Sequence, residues 1–226
     1  MDKRSAILAK IRHSLKTTGD DESRRAAIKS RLESHPKGVI PARGQLEPDA
    51  RLDLFQAMAE KYNASVERIA HLSELPEVTA AYLKARNLPA AIRIGADPRL
   101  ASAPWSEQPV LELRHGASDG QDLVAVSHAF AGIAETGTLC VLSGPDNPVT
   151  LNFLPDHHIV VLTKDDVVGD MESMWERLRA KQGGEMPRTV NLITGPSRSA
   201  DIEQTLLLGA HGPRALHIVV VEGGRH

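Results

Sequence analysis

The chain contains the sequence GPSRSADIE over residues 195–203, followed by GAHGPR over residues 209–214. These polar segments lie between two apolar runs, Val190 to Ile193 and Leu216 to Val221, whose length and content of valine, isoleucine and leucine are typical of buried strands. Polar residues between such strands lie at strand ends, which is where open α/β sheets bind their ligands. The stretch therefore predicts an α/β fold with a candidate ligand site.

A purely structural interpretation of the same residues is also open. Gly-Pro-Ser is a common turn sequence, and either Ser199 or Asp201 could cap a helix. A second segment favours a site, because AETGT at residues 134–138 leads into the apolar run at 139–142, which ends in Ser-Gly-Pro at 143–145.

Three motifs, in this order, resemble the LUD domain of the lactate-utilisation protein C family. They are GIAETGTL at residues 132–139 with SGP at 143–145, GPSRSADIE at 195–203, and HGPRALH at 211–217. The resemblance is dense from about Gly132 to Val221 and looser upstream. It implies an open α/β sheet similar to the sugar-isomerase and CoA-transferase class, which binds small anionic or acyl substrates at the carboxyl ends of its strands.

The order of helical and extended patterns predicts an N-terminal arm followed by one main domain. With 226 residues and 41% hydrophobic content, the chain is long enough for one well-buried α/β domain and a short appendage. Proline and glycine between Pro36 and Gly44 mark a linker. We expect a helical arm and linker at residues 1–44 and the α/β domain at 45–226.

Beyond the linker, helical and extended patterns alternate, which is typical of a mostly parallel sheet flanked by helices. Helices are predicted at 49–62, 73–87 and 170–181, and strands at 64–70, 90–94, 110–113, 123–126, 139–142, 159–163, 190–194 and 216–221.

Charge and patterning exclude several classes of partner. The formal net charge is -2 and the pI is about 6.6, which gives no electrostatic attraction to nucleic acid or to an anionic membrane. The first residues lack the apolar core of a signal peptide, and no apolar run approaches the ~20 residues of a membrane span. We expect a soluble, cytoplasmic protein.

The cysteine and histidine content argues against a metal or cluster in this chain. Cys140, the one cysteine, lies inside an apolar strand, where a small buried side chain is a simpler interpretation than a nucleophile. An iron–sulfur cluster would need several thiolates, so we expect no cofactor in this chain and expect iron–sulfur clusters on partner proteins. His157 and His158 are adjacent on a strand and face opposite sides, so we expect no metal site. Dinucleotide and nucleoside triphosphate fingerprints are also absent from the sequence.

Glu135 is the candidate catalytic residue. A carboxylate held close to a reacting carbon can act as a general base or as a nucleophile. The alternative is that Glu135 accepts a hydrogen bond that fixes the turn before Gly137.

The candidate substrate- or anion-binding residues are Thr136, Ser197, Arg198, Asp201, His211 and Arg214. Arg198 is the strongest candidate for an anion contact, since it would lie with serine hydroxyls and backbone amides near a possible helix start. His211 with Arg214 could orient a carboxylate or supply a proton, or His211 could simply tie the loop.

Glu203 and Asn152 are weaker candidates. Asp201 and Glu203 are two apart and cannot share a helix face, so at most one of them would face the cleft. Asn152 could bind substrate or form a turn. If the fold places both motif segments at the same edge, Glu135 and Arg198 would face one cleft.

The resemblance implies a component of a multi-protein system that oxidises L-lactate to pyruvate and works with iron–sulfur partner proteins. Two alternatives remain at this point. The chain could be a stand-alone isomerase or acyl/CoA transferase that uses Glu135, or it could be a non-catalytic adaptor subunit.

Overall fold

The computed structural model describes residues 2–17, 21–181, 183, 185–199, 207–209 and 211–223. The chain divides into two compact units, Met1–Val39 and Ile40–His226. The first unit contains α1 (Lys3–Ser14) and α2 (Glu22–Ser34). Helix α2 begins where the Asp21 carboxylate accepts a hydrogen bond from the Arg24 amide, which satisfies one of the free amides of the first turn.

Within the described residues, the second unit contains four further helices and twelve strands. The helices are α3 (Pro48–Lys61), α4 (Leu75–Ala85), α5 (Pro98–Ala101) and α6 (Met171–Lys181). The strands are β1 (Ser65–Ile69), β2 (Ala91–Ile94), β3 (Glu112–His115), β4 (Val124–His128), β5 (Ala131–Ile133), β6 (Thr138–Leu142), β7 (His157–Thr163), β8 (Val167–Val168), β9 (Val190–Ile193), β10 (Arg198–Ser199), β11 (Leu207–Leu208) and β12 (Ala215–Val221). Among the described ranges, no helix has both the length and the apolarity to cross a membrane.

Six of these described strands form an open sheet in the order β1-β12-β7-β4-β2-β3, and every neighbouring pair is parallel. The fold class expected from the sequence, an open and mostly parallel α/β sheet, is confirmed. The central strands β7 and β12 are almost continuously apolar because both of their faces are covered.

Alternate residues of β12 pack into two different cores. Val219 and Val221 lie in a cluster with Leu75 and Leu83 of α4, whereas Ile218 and Val220 lie in a cluster with α3 and β6. This alternation is the two-residue period of a strand. It places α4 on one face of the parallel sheet and α3 with β6 on the other.

A second sheet has the order β8-β5-β6-β9, with antiparallel pairing of β5 with β6 and of β6 with β9. The two apolar runs that flank the 195–214 segment therefore belong to different sheets. Val190–Ile193 pairs with β6, while Ala215–Val221 pairs in the parallel sheet. The segment follows the carboxyl end of β9 but precedes the amino end of β12.

One local expectation was wrong at its boundary, and another falls outside the described residues. The predicted helix at 73–87 begins at Leu75, because residues 72–74 form a 3₁₀ turn in which the Glu74 carboxylate accepts a hydrogen bond from the His71 amide at 2.7 Å. Arg198–Ser199 is a strand paired antiparallel with Leu207–Leu208, and the residues after Ser199 at which a helix could start lie outside the described part of the chain. Asp201 and Glu203, between these two strands, lie outside the described residues.

Candidate functional site

A cavity of about 600 Å³ lies at the carboxyl ends of the parallel strands. Its lining includes the last residues of three neighbouring strands, His128 of β4, Thr163 of β7 and Val221 of β12. The segments that follow β1 and β2 contribute His71–Ser73 and Arg99. Five of the six described parallel strands thus end at one cavity, which we call the strand-end cavity.

The strand order reverses beside this cavity. The chain passes from β2 outward to β3 and then returns across β2 to form β4. In open α/β sheets, the crevice at such a reversal is where ligands bind. Arg99, which follows β2, and His128, which ends β4, line the cavity on the two sides of the reversal.

His128 is held neutral with one defined tautomer. Its Nδ1 lies 2.6 Å from the carbonyl oxygen of Ala129, which can only accept a hydrogen bond, so Nδ1 carries the proton. Burial, together with the charge of Arg99, lowers the pKa of His128 to about 4. At neutral pH, Nε2 therefore presents a lone pair.

The charged groups around the strand-end cavity are paired within the protein. Arg99 donates to both carboxylate oxygens of Asp97, and Arg177 donates to Asp166. Burial by itself would raise the pKa of Asp97, but the hydrogen bonds and charge of Arg99 outweigh it and hold the pKa below its usual value. The charge of the cavity lining is therefore balanced within the protein.

A second pocket, of about 290 Å³, lies at the opposite edge of the sheet, near the amino ends of β7 and β12. Residues 194–198, which follow β9, and residues 211–213, which precede β12, line it together with Asn152 and His158. We call it the Arg198 pocket. It brings together Ser197, Arg198 and His211 of the residues expected from the sequence.

Arg198 is anchored at the end of α3. Its Nη2 donates to the carbonyl oxygen of Tyr62 at 2.9 Å, where the helix dipole favours a cation. Its side chain is exposed, and within the described part of the chain no carboxylate lies within ion-pair distance. Since a guanidinium has five N–H donors, Arg198 has further donors available for an anion.

Two buried polar side chains line the Arg198 pocket without full hydrogen bonding. Asn152 is 1% exposed, and neither atom of its amide group has a partner in the described structure. His158 is fully buried, its Nε2 lies 2.7 Å from the Ser127 hydroxyl, and its Nδ1 has no partner among the described residues. Burial lowers the pKa of His158 to about 3, so the ring is neutral. Buried polar atoms are rarely left unpaired, and a bound water or ligand is a common reason.

Glu135 and Thr136 occupy different positions relative to this pocket. The Glu135 carboxylate accepts a hydrogen bond from the Met171 amide at 3.0 Å, and Glu135 lines neither cavity. The Thr138 hydroxyl donates to Thr136 and lies 2.7 Å from the hydroxyl of Thr194, which lines the Arg198 pocket. The structure thus connects Thr136 to the pocket and does not bring Glu135 into it.

The remaining expected residues are dispersed. The exposed Arg214 side chain lies 3.4 Å from the Asp156 carboxylate and is not part of the pocket lining, and His211 is exposed at the rim. His157 and His158 face opposite sides, as expected, with His157 against the Tyr82 hydroxyl at 3.0 Å.

The sequence reasoning missed Arg99 and His128. The one available signal was the position of His128 at the end of the apolar run 124–128, where a parallel strand presents its carboxyl end. No comparable pattern marked Arg99, because it lies in the short helix α5 after β2 and not at the end of an apolar run.

Comparison with known proteins gives the family. The sequence model of the LUD domain matches residues 52–221. An uncharacterized protein of Neisseria meningitidis serogroup B is 30% identical over 202 residues, which cover 78% of this chain and 86% of that protein.

Several relatives carry a functional name. Lactate utilization protein C of Halalkalibacterium halodurans is 38% identical over 100 residues, which cover 43% of this chain and 44% of that protein. The protein of the same name from Geobacillus thermodenitrificans is 34% identical over 127 residues, covering 52% and 53%. The matched region thus spans about half the length of these relatives.

One solved structure shows the same fold. The crystal structure of a DUF162 family protein from Deinococcus radiodurans superposes with a TM-score of 0.56 at 22% identity and covers 78% of this chain and 99% of that one. Since the family model matches most of the chain and the Neisseria relative aligns over most of both proteins, the chain belongs to the LUD domain family, as its motifs indicated.

Proposed function

We propose that this protein is a cytoplasmic component of a system that oxidises L-lactate to pyruvate, and that it binds a small carboxylate in the Arg198 pocket. One observation carries the proposal. Two of the three motifs that resemble the LUD domain, at 195–203 and 211–217, supply residues to this pocket. The third reaches it through the hydroxyls of Thr136, Thr138 and Thr194.

The chemistry of the pocket suits a 2-hydroxy or 2-oxo acid. A guanidinium matches the planar geometry of a carboxylate and can donate two parallel hydrogen bonds to it. The unpaired amide of Asn152 could satisfy the adjacent hydroxyl or oxo oxygen of such a ligand, because an amide both donates and accepts. A ligand in this position would also remove the cost of leaving Asn152 unpaired.

The proposed reaction needs an electron acceptor. Oxidation of L-lactate to pyruvate releases two electrons and two protons, and Cys140 is poorly suited to hold a redox centre. Its side chain is fully buried, and burial raises the pKa of the thiol to about 12. We therefore propose that iron–sulfur partner proteins accept the electrons. The names of the relatives called lactate utilization protein C support a role in lactate utilisation.

The geometry gives less support to a stand-alone isomerase or CoA transferase. Such an enzyme would use Glu135 as its base or nucleophile, but this carboxylate is bound to the Met171 amide and lines neither cavity. A non-catalytic adaptor would need no carboxylate site at all, so a binding measurement separates it from the proposal.

The test is titration of the purified chain with L-lactate and with pyruvate by isothermal calorimetry. Arg198→Met removes the guanidinium and keeps a long apolar side chain, so we expect it to weaken binding at least about tenfold. Arg188→Met is the matched control, because Arg188 is an exposed arginine that lines neither cavity. Equal binding by wild type and Arg198→Met, or no binding by either, would contradict the proposed site.

A further inference from the structure

The strand-end cavity is separate from the Arg198 pocket. The first lies at the carboxyl ends of β7 and β12 and the second near their amino ends. Strand β12 has seven residues, so the two edges are roughly 20 Å apart at about 3.3 Å per residue. A ligand in one cavity does not contact the residues of the other.

The balance of charge at the strand-end cavity disfavours an ionic ligand. An anion would meet a guanidinium whose charge Asp97 already pairs through Nε and Nη2, and it would also approach the carboxylate of Asp166. A cation would approach the guanidinium of Arg99. Bringing an unpaired charge into a partly buried site is costly unless a partner compensates for it. An uncharged molecule incurs neither penalty.

The polar groups of the cavity select a hydrogen-bond donor. Nδ1 of His128 is bound to Ala129, so Nε2 is the nitrogen available to a ligand, and it can only accept. Since His128 is 4% exposed, a ligand that did not donate to it would leave this acceptor without water or partner. The hydroxyls of Ser73 and Thr163 can donate to a ligand or accept from it, whereas the Ser102 hydroxyl donates to the carbonyl oxygen of Arg99 and can only accept.

Aliphatic side chains form part of the cavity wall, which favours an apolar ligand surface. Leu72, Val161 and Val221 line the cavity and offer aliphatic side chains. The volume, about 600 Å³, is within the range of roughly 300–1,000 Å³ that organic ligands occupy in proteins. A ring system could pack its face on these aliphatic side chains and donate a hydrogen bond from its edge to Nε2 of His128.

We infer that the strand-end cavity is a second ligand site, which takes an uncharged heteroaromatic molecule of about nucleoside size whose ring N–H or O–H donates to Nε2 of His128. The aliphatic side chains of Val161 and Val221 contact the ring face, and the hydroxyls of Ser73, Ser102 and Thr163 bind its polar substituents. The site is independent of the carboxylate bound in the Arg198 pocket.

Ligand-observed NMR on the full chain tests this inference. The uncharged probes are inosine, adenosine, uridine and nicotinamide, and the anionic probes are acetate and inorganic phosphate. We expect at least one uncharged probe to bind, with no competition from the anions. His128→Phe retains a ring and removes the acceptor, so it should weaken that probe at least about tenfold. If His128→Phe does not fold, Thr163→Val is the second variant to test: it keeps the side-chain shape, removes the hydroxyl and should also weaken binding of the probe.

Arg198→Met is the control for position, because it should leave binding of the uncharged probe unchanged. The inference is overturned if no uncharged probe binds, if only acetate or phosphate binds, or if the folded variants at 128 and 163 bind the probe as wild type does. The binding of pyruvate measured by calorimetry does not depend on this cavity. Failure of this inference is therefore distinguishable from failure of the proposed function.

Discussion

The carboxylate of Glu135 accepts a hydrogen bond from the backbone amide of Met171 at 3.0 Å. Met171 is the first residue of α6, so the carboxylate satisfies an amide that has no partner inside the helix and lies where negative charge is favoured. We expect Glu135→Ala to lower the free energy of unfolding by about 1 kcal/mol, because a half-buried donor loses its acceptor. Glu135→Gln keeps an oxygen acceptor and should cost less. Urea denaturation of both variants measures the difference.

The same pair of variants decides whether Glu135 has a chemical role. If Glu135→Gln abolished growth on L-lactate while its free energy of unfolding and its expression matched wild type, a purely structural role for this carboxylate would be insufficient. Comparable growth of wild type and Glu135→Gln supports the structural role.

Gly195 lies where an added side chain has no room. Its φ is +70°, and a Cβ atom would lie 2.2 Å from the carbonyl oxygen of Tyr62, the same oxygen that accepts from Arg198. Both the backbone conformation and the close approach favour glycine. We expect Gly195→Ala to destabilise the fold by about 2 kcal/mol or more and to weaken carboxylate binding by displacing Arg198.

Gly144→Ala is the control for this substitution. A Cβ at Gly144 meets no atom within 4 Å, and its φ is not positive. Thermal unfolding of the two alanine variants side by side gives the comparison, and an equal midpoint for both would show that the contact of Gly195 with Tyr62 is unimportant.

Buried histidines make stability depend on pH. Burial lowers the pKa of His158 to about 3, and burial with a nearby arginine lowers the pKa values of His128 and His217 to about 4. In the unfolded chain these rings titrate near 6.5, so below that pH the unfolded state binds protons that the folded state excludes. The free energy of unfolding should therefore be nearly constant above pH 7 and fall as the pH drops from about 6.5 toward 4. The slope of this fall corresponds to the uptake of up to roughly one proton per histidine on unfolding.

Denaturant unfolding between pH 7.5 and 4.5 checks this dependence. His158→Gln should reduce the number of protons taken up on unfolding by about one, and so reduce the slope of the free energy of unfolding against pH. This holds whatever the substitution does to stability at pH 7. A wild-type protein equally stable at pH 7 and pH 5 would contradict the assignment of neutral, buried rings.

Cys140 should be chemically inert in the folded protein. The thiol is fully buried, and the raised pKa of about 12 keeps it protonated at neutral pH. A thiol-reactive reagent at pH 8 should modify it only in denaturant, because the thiolate is the reactive form. Rapid stoichiometric labelling of the native protein would contradict the buried position in β6.

The apolar runs predicted most of the strands and helices because burial on both faces of a parallel sheet requires continuous Val, Ile and Leu. The run Ile159 to Thr163 forms the last five residues of β7, and Leu216 to Val221 forms all but the first residue of β12. The sequence alone did not predict which strands pair with each other. Whether Val190–Ile193 joins the parallel sheet or pairs antiparallel with β6 depends on contacts between distant segments, and its short apolar pattern fits either arrangement.

The same limitation applies to the candidate sites. Ser197, Arg198 and His211 lie in polar segments beside apolar runs, and the structure places all three in the lining of one pocket. His128 and Arg99 come together only because the chain crosses β2 between β3 and β4, which is a property of topology. Glu135 lies in a segment that resembles a catalytic motif, yet its carboxylate binds the backbone amide of Met171, 36 residues away in sequence.

Growth complementation is the decisive experiment on whether this chain serves lactate utilisation through the Arg198 pocket. A deletion strain of the native host would receive wild type, Arg198→Met or Arg188→Met and be grown on L-lactate and on glucose, with protein levels compared by immunoblot. We predict that wild type and Arg188→Met restore growth on L-lactate, whereas Arg198→Met at equal abundance does not, and that all three grow on glucose. Full growth of the Arg198→Met strain on L-lactate, or normal growth of the uncomplemented deletion strain, would contradict this role.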